Sequence, residues 1–464
     1  MQSTTILHSI CTALTNAHTE FKSHRDVNRL CKQVRDDLLP MVEAFLIPVI
    51  ESVVCDPDLL PELKVGAGVL GLRFNGYRST SVRLITGSPL TLRSPYFSKT
   101  TSASRRCRKS KKRKNGTGCH YGLDYLGFIN RCSTLLGSVV AQAALLCPSF
   151  EIARKTLKSH AIDLNVKTIH RLVMGVGKSA MAQRGRISLS DTDGVEGKTV
   201  LVCIDGGRLR ERRPKRGRKP ADLKRQGYYT DWKEPIQLVI QTVNRDGTIC
   251  KERLPLYDAT MGKIDAAFTL LETYLRELNI SKADRIVFCC DGARSYWNRT
   301  GPLAKKLGIA NHYEVIDYTH AKQNLFEIID KLPEKIPGKE KIIEKWKNLL
   351  WQGDFDKLKK QIHKYVGDPE KRKAALAKFK SYFLKNRHRM QYANFHNLKL
   401  PTGSGCVESA IRRVINLRLK SPGIFWKKET AESMLFLRSQ LLSGRWDIMV
   451  ANIFNEIRAH SLCH

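Results

Sequence analysis

The chain has 464 residues, with 80 Lys or Arg against 44 Asp or Glu, a formal net charge of +36 and 42% hydrophobic residues. This is the make-up of a soluble globular protein of two to four domains, and its charge calls for a polyanionic partner, nucleic acid being the usual one. Thirteen cysteines without a repeating spacing favour reduced thiols over a disulfide framework, and with no secretory signal pattern and no apolar run of about 18 residues the expectation is a cytoplasmic, nucleoid-associated protein without membrane contact.

Residues 1–65 carry helical spacing, with Leu30, Val34, Leu38, Leu39, Met41, Val42 and Phe45 among charged residues and with Pro40 and Pro48 as interruptions. Residues 66–122 change to a β-rich, basic pattern, in which alternation on both sides of Gly87-Ser88-Pro89 predicts a hairpin. Within it, Arg105 to Lys114 holds eight Lys or Arg in ten residues, a segment suited to phosphates, with a nuclear address as the rival reading. Cys107, Cys119 and His120 bracket that run. Zinc there stays an open question, since the paired Cys-x-x-Cys of a ribbon is missing.

From 123 to 184 the pattern is helical again. A short helix opening at Ser149 and a second capped by Asn165 predict a helix-turn-helix. Lys167, Thr168, His170 and Arg171 would enter a major groove, while Ile169, Leu172 and Val173 pack inward; an ordinary helical hairpin is the alternative. Residues 185–198, rich in Gly, Ser and Asp, read as a linker.

The stretch that follows organises the chain. Val200 to Ile204 predict a strand buried on both faces, and Asp205 with two glycines follows it directly. The design recurs at Arg285-Ile-Val-Phe-Cys-Cys-Asp291-Gly292. Carboxylates at neighbouring strand ends can share a hard divalent cation, which relieves their repulsion. Between the two copies, Arg208 to Arg225 holds ten Lys or Arg and reads as a mobile insertion on the phosphate-contacting side. Strands are expected at 234–243 and 249–257 around the turn Asn244-Arg-Asp-Gly, then a helix over about 263–278. The Asp291 strand, a helix around Pro302–Leu307 and a fifth strand, 313–317, complete a βββαβαβ order.

That order, with acids on its first and fourth strands, resembles the RNase H-like fold of DDE transposases. Thr402-Gly-Ser-Gly-Cys-Val-Glu408-Ser-Ala, Arg418-Leu-Lys, Trp426 and Leu442-Ser-Gly-Arg-Trp-Asp look like the C-terminal signature of bacterial insertion-sequence transposases, and Asp317-Tyr-Thr-His320 matches their Asp-x-x-His motif. Val407, Ala410, Ile411, Val414 and Leu417 should form the inward stripe of the Glu408 helix. The resemblance spans roughly 140–450. It implies an RNase H-like core over 198–320 and 390–443, a helical insertion over 321–389 that packs over the active site and contacts end DNA, and a final helix over 444–464. In the insertion, Trp346, Trp351 and Phe355 are expected in a core rather than as base-stacking platforms.

The function implied is divalent-metal-dependent cleavage and strand transfer at transposon ends, by a chain acting as a homodimer on double-stranded end and target DNA. Asp205, Asp291 and Glu408 would hold two Mg²⁺ ions, with Mn²⁺ as substitute. His320 would hydrogen-bond a carboxylate or phosphate oxygen near them, or would simply satisfy its hydrogen bonds at a helix start. Arg208, Arg210, Arg212, Arg213, Arg412 and Arg413 are candidate DNA contacts. Two readings stand beside this one: a transposase-derived DNA-binding regulator, and an RNase H-like nuclease without end specificity.

Overall fold

A computed structural model describes residues 2–99, 118–184, 194–218 and 226–462. The basic run with Cys107 and much of the 185–198 linker lie outside the described residues. The chain divides into two compact units, Met1–Gln183 with Trp446–His464, and Arg184–Arg445.

In the first unit, helices Gln2–His24, Val27–Gln33, Leu39–Val54 and Leu60–Val69 precede an antiparallel hairpin, Arg73–Val82 with Leu90–Ser98. The prolines interrupt less than the sequence suggests. Pro40 stands where a π-helical segment, Val34–Leu38, passes without a break into Leu39–Val54, and Pro48 is accommodated inside the latter helix. Val54, Val82, Leu84, Leu92, Leu123 and Phe128 form a buried cluster between helix and hairpin. Helices Thr134–Leu146, Phe150–Ser159 and Val166–Ala182 follow, and Trp446–Leu462 joins them, with Trp446 Nε1 donating to Ser138 Oγ at 2.7 Å. What sequence divides into several modules is thus one compact unit.

The second unit is built on a five-stranded sheet. Its strands are β1 (Thr199–Gly206), β2 (Ile236–Val243), β3 (Leu256–Thr260), β4 (Arg285–Cys290) and β5 (His312–Ile316), in the order β3-β2-β1-β4-β5. β1, β2 and β3 pair antiparallel, whereas β4 runs parallel to both β1 and β5. Residues 199–204 are all buried, as a central strand covered on both faces requires.

Three expectations need correction here. The third strand is Leu256–Thr260 rather than 249–257, because Lys251 and Glu252 are exposed and Pro255 offers the ladder no N–H, while all five residues of β3 are buried. The helix placed at Pro302–Leu307 starts at Arg294, and its buried side of Tyr296, Trp297, Thr300, Leu303 and Ala304 outweighs the bond lost at Pro302. The basic insertion is partly a two-stranded arm, Leu209–Pro214 paired antiparallel with Tyr228–Lys233. Residues 219–225 lie outside the described residues.

Between β5 and the Glu408 helix the chain is helical, through Tyr318–Ile329, Lys339–Gln352, Phe355–Tyr365 and Pro369–Lys378. Trp346 and Phe355 are buried in its core, and Trp351 stacks on Tyr392 with ring centroids 6.0 Å apart. The inward stripe of the Glu408 helix differs from expectation in its second half. Helix Gly405–Ala410 passes into a π-helical segment, Ile411–Asn416, whose extra residue per turn advances the register. Ile415 and Leu419 are buried in consequence, and Leu417 is 56% exposed.

One acid in this unit has a purely structural setting. Asp258 on β3 accepts from Arg184 Nη2 at 2.6 Å and Nε at 2.9 Å and from Tyr274 Oη at 3.1 Å, and both charged side chains are buried. Arg184 also pairs with Glu432 at 2.5 Å, so Asp258→Ala removes one of two carboxylates from a buried guanidinium and should cost about 1–3 kcal/mol. A urea midpoint unchanged from the parent would contradict this.

Candidate active site

The register of the sheet brings three acids to one edge. Ile204 pairs with Cys290, and Cys290 with Ile316, so Asp205, Asp291 and Asp317 are each the next residue along three adjacent parallel strands. Alternation puts Cys203 on the face of Asp205 and Cys289 on that of Asp291. The Glu408 helix covers this face, since Cys406 Sγ meets Cys203 Sγ at 3.4 Å. Three thiols therefore form a layer directly beneath the carboxylates.

Asp317 ties the arrangement together. Its Oδ1 caps helix Tyr318–Ile329 by accepting from the His320 N–H at 2.8 Å, and it meets His320 Nδ1 at 3.2 Å. Its Oδ2 accepts from the Ser404 N–H at 2.6 Å, and Ser404 Oγ donates to Glu408 Oε1 at 3.0 Å. One buried carboxylate thus fixes both the imidazole and the loop that delivers Glu408. The Asp-x-x-His motif contains Asp317 but assigns it no role in the site. The signal was there: a third apolar strand ending in an acid.

Electrostatics agree with this crowding. Burial raises the Asp205 carboxyl above its ordinary range, a bond from the Gly206 N–H at 2.7 Å opposes that, Asp291 and Glu408 raise it further, and His320 lowers it. For Asp317 burial also pushes upward, but hydrogen bonds from His320 and Ser404 prevail and bring it down to about 2. The bond to Asp317 raises His320, against a lowering by burial. Asp317 therefore stabilises the fold above the ordinary 3.8 and loses that contribution as pH falls through about 2. His320 contributes fully below 6.5 and loses its contribution as pH rises through its elevated value.

Among the described residues, Asp317, His320 and Glu408 each offer a ligand atom within 4.8 Å of one another. The expected metal set of Asp205, Asp291 and Glu408 does not draw together as tightly. Asp205 Oδ1 turns to the Gly206 N–H, and Asp291 Oδ1 accepts from the Ala293 N–H at 2.8 Å, so each aspartate closes on its own backbone. All four acids and the imidazole still share one sheet edge. The chemistry of the set fits a hard divalent cation: oxygen donors dominate, and like charges crowd Asp205.

The glycines after the acids serve packing. Neither Gly206, Gly207 nor Gly292 has positive φ. A Cβ at Gly292 would run into the Tyr382 ring, and one at Gly207 into Ile415. The glycines after the two aspartates admit side chains of the same chain close to the acids.

The candidate DNA contacts are distributed over both units. Lys167, His170 and Arg171 are exposed on helix Val166–Ala182, while Ile169, Leu172 and Val173 are buried as expected. Thr168 does not join them: it is buried, because it stands four residues before Leu172 on the same helical face, and its N–H is taken by Asn165 Oδ1 at 2.9 Å. Arg208, Arg212, Arg213 and Arg412 are exposed and Arg210 is half-buried. Arg213 is paired with Asp231, and Arg413 donates to Tyr257 Oη at 2.5 Å. Burial pushes the Cys119 thiol up to about 11, with Asp124 adding to it, and burial lowers His120; neither joins a metal-ligand group among the described residues.

No family model, curated protein or solved structure matches the chain. Among the described residues no helix is long and apolar enough to cross a membrane.

The Asp317–His320 pair can be read directly by NMR. In metal-free protein, Asp317→Asn should lower the pH at which the His320 imidazole titrates, since the carboxylate is the main cause of its elevation. An unchanged His320 titration would show that this bond does not form in solution.

Proposed function

We propose that the chain is a DDE-type transposase of the bacterial insertion-sequence kind, with an RNase H-like catalytic core, cutting and joining DNA with divalent metal. The observation that carries this reading is the convergence of Asp205, Asp291 and Glu408, from two adjacent parallel strands and a covering helix, on one sheet edge. The sheet order β3-β2-β1-β4-β5, with antiparallel β1–β3 and parallel β4 and β5, is the one such a core requires.

Asp205 and Asp291 would each give a carboxylate oxygen to a pair of Mg²⁺ or Mn²⁺ ions, with Glu408 completing one site. Such ions, when bound, make a water or 3′-hydroxyl nucleophilic at a phosphodiester and offset charge on the leaving oxygen. Asp317 holds Ser404, and through it Glu408, in place. His320, oriented by Asp317 and raised in basicity, is suited to hydrogen-bonding a phosphate oxygen. The excess of cations on both units suits transposon-end and target DNA, and a homodimer would bring two ends together. The helix-turn-helix face, now Lys167, His170 and Arg171, would read the ends. A regulator without cleavage would have no use for the acids, and a non-specific nuclease none for a recognition helix.

Asp205→Ala, Asp291→Ala or Glu408→Ala should each abolish Mg²⁺-dependent cleavage of DNA flanking the gene, measured on labelled duplex, while leaving gel-shift affinity within about threefold. Near-parental cleavage by any one of them would sink the assignment. Base-edge contacts carry about 1–3 kcal/mol of discrimination each, so Lys167→Ala with Arg171→Ala should erode the preference for end DNA over random DNA about tenfold or more. If both affinities fall equally, these side chains touch phosphates alone. Thr168→Ala should leave the preference intact.

A further inference from the structure

The two-stranded arm Leu209–Pro214/Tyr228–Lys233 leaves the sheet at the Asp205 end, where the Gly207 N–H bonds Pro235 O at 2.8 Å. Its pairing sorts residues onto two faces. Arg210 lies opposite Trp232, Arg212 opposite Thr230, and Pro214 opposite Tyr228; Leu209–Lys233, Glu211–Asp231 and Arg213–Tyr229 take the other side. Both carboxylates of the described arm are on this second side, where Asp231 pairs with Arg213 and Glu211 lies 4.0 Å from Lys233.

The first side carries, besides Thr230 and Pro214, rings and guanidinium groups. Arg210 lies over Trp232 at 5.6 Å and over Phe425 at 4.6 Å, Arg212 lies over Tyr228 at 5.9 Å, and the Tyr228 and Phe425 rings are 5.9 Å apart. Phe425 is held in register by backbone bonds, Arg212 N–H to Trp426 O at 2.8 Å and Trp426 N–H to Arg210 O at 2.9 Å. Trp426 is buried beneath and donates from Nε1 to Leu419 O at 3.0 Å. Yet Trp232 is 56% exposed and Tyr228 46%. Tyr229, on the second side, is also exposed, but only the first side sets several exposed rings in one row with arginines, a surface suited to a ligand.

We propose that this face of the arm is a stacking platform for unpaired bases of DNA next to the reactive phosphodiester. The proposal rests on the nucleic-acid reading above and adds to it the strand state that is held. Stacking of a base on an aromatic ring is indifferent to sequence and is strengthened by adjacent arginines, which also meet the phosphates. A paired base inside a duplex has both of its faces covered by neighbours and cannot use such a surface. A frayed end, a cleaved strand or a flipped base can. The sequestering of Glu211 and Asp231 on the opposite face keeps the platform free of the charge that would repel a phosphate backbone.

The test uses the full-length protein, EDTA, and one labelled oligonucleotide of about 20 nucleotides, single-stranded or in blunt duplex, with binding read by fluorescence anisotropy. Trp232→Ala with Tyr228→Ala should weaken single-strand binding about tenfold or more and duplex binding no more than about threefold. Trp232→Phe with Tyr228→Phe should restore most of the loss, and circular dichroism confirms that all variants are folded. Unchanged single-strand affinity, an equal loss on both probes, or no single-strand binding by the parent would overturn the proposal. So would unchanged DNA affinity with loss of self-association in sedimentation, which would assign the rings to a second copy of the chain. Because no metal is present and nothing is cut, a failure of the acid assignment leaves this result untouched.

Discussion

The Asp317 carboxylate is the constraint on which the rest of the site depends. It is nearly inaccessible to solvent, and it accepts from a helix start on one side and from the Ser404 loop on the other. The second contact lies four residues before Glu408, the acid that its loop delivers. A buried carboxylate with three donors is held charged and rigid, and that rigidity passes to what it touches. His320 is oriented through its Nδ1 and Glu408 through Ser404 Oγ, so two groups 88 residues apart in sequence, 320 and 408, share one anchor. The two roles weighed for His320 do not compete: it satisfies a hydrogen bond at a helix start and it stands in the electrostatic field of Asp205 and Asp291.

Much of the sheet was legible because its strands are unbroken apolar runs. Val200–Ile204 and Ile286–Cys290 could hardly be anything else, and each announces the acid that follows it. The third strand was not legible at its correct place. Leu256–Thr260 contains Asp258, whose charge is offset by Arg184 from more than 70 residues away, and no local pattern reveals that partner. The arm was missed for a related reason. Arg210, Glu211, Arg212 and Arg213 read as a solvated charge run, and only pairing with Tyr228–Lys233 and with Trp426 makes them a strand. Thr168 and Leu417 failed on periodicity: the first was counted outward although it shares a face with Leu172, and the second fell one residue off register when the helix widened into a π turn.

Close packing beneath the acids explains why small and polarizable residues gather there. Cys203, Cys289 and Cys406 fill the layer between sheet and helix, and the Cys406 thiol donates to Cys203 Sγ at 3.4 Å. A bulkier side chain at any of these positions would lift the Glu408 helix from the sheet. The same economy operates at the edge, where Gly292 admits Tyr382 and Gly207 admits Ile415. The glycine directly after Asp291 thus has a steric cause in Tyr382, and after Asp205 it is the second glycine, Gly207, that packing against Ile415 requires.

In a chain with 80 cationic side chains against 44 acids, the informative carboxylate is the one that no cation neutralises. Asp258, Glu314 and Glu432 are each paired with an arginine, and their settings account for them. Among the described residues, no Lys or Arg forms an ion pair with Asp205, Asp291 or Glu408. Burial and its acidic neighbours instead raise the Asp205 carboxyl, an arrangement that costs stability in the isolated chain. Fold stability alone would favour placing one of the many arginines there. Arg208, Arg212 and Arg412 are exposed instead, and among the described residues these carboxylates are left without an ion pair. Like-charged carboxylates left unpaired in this way are a set whose repulsion a hard divalent cation relieves.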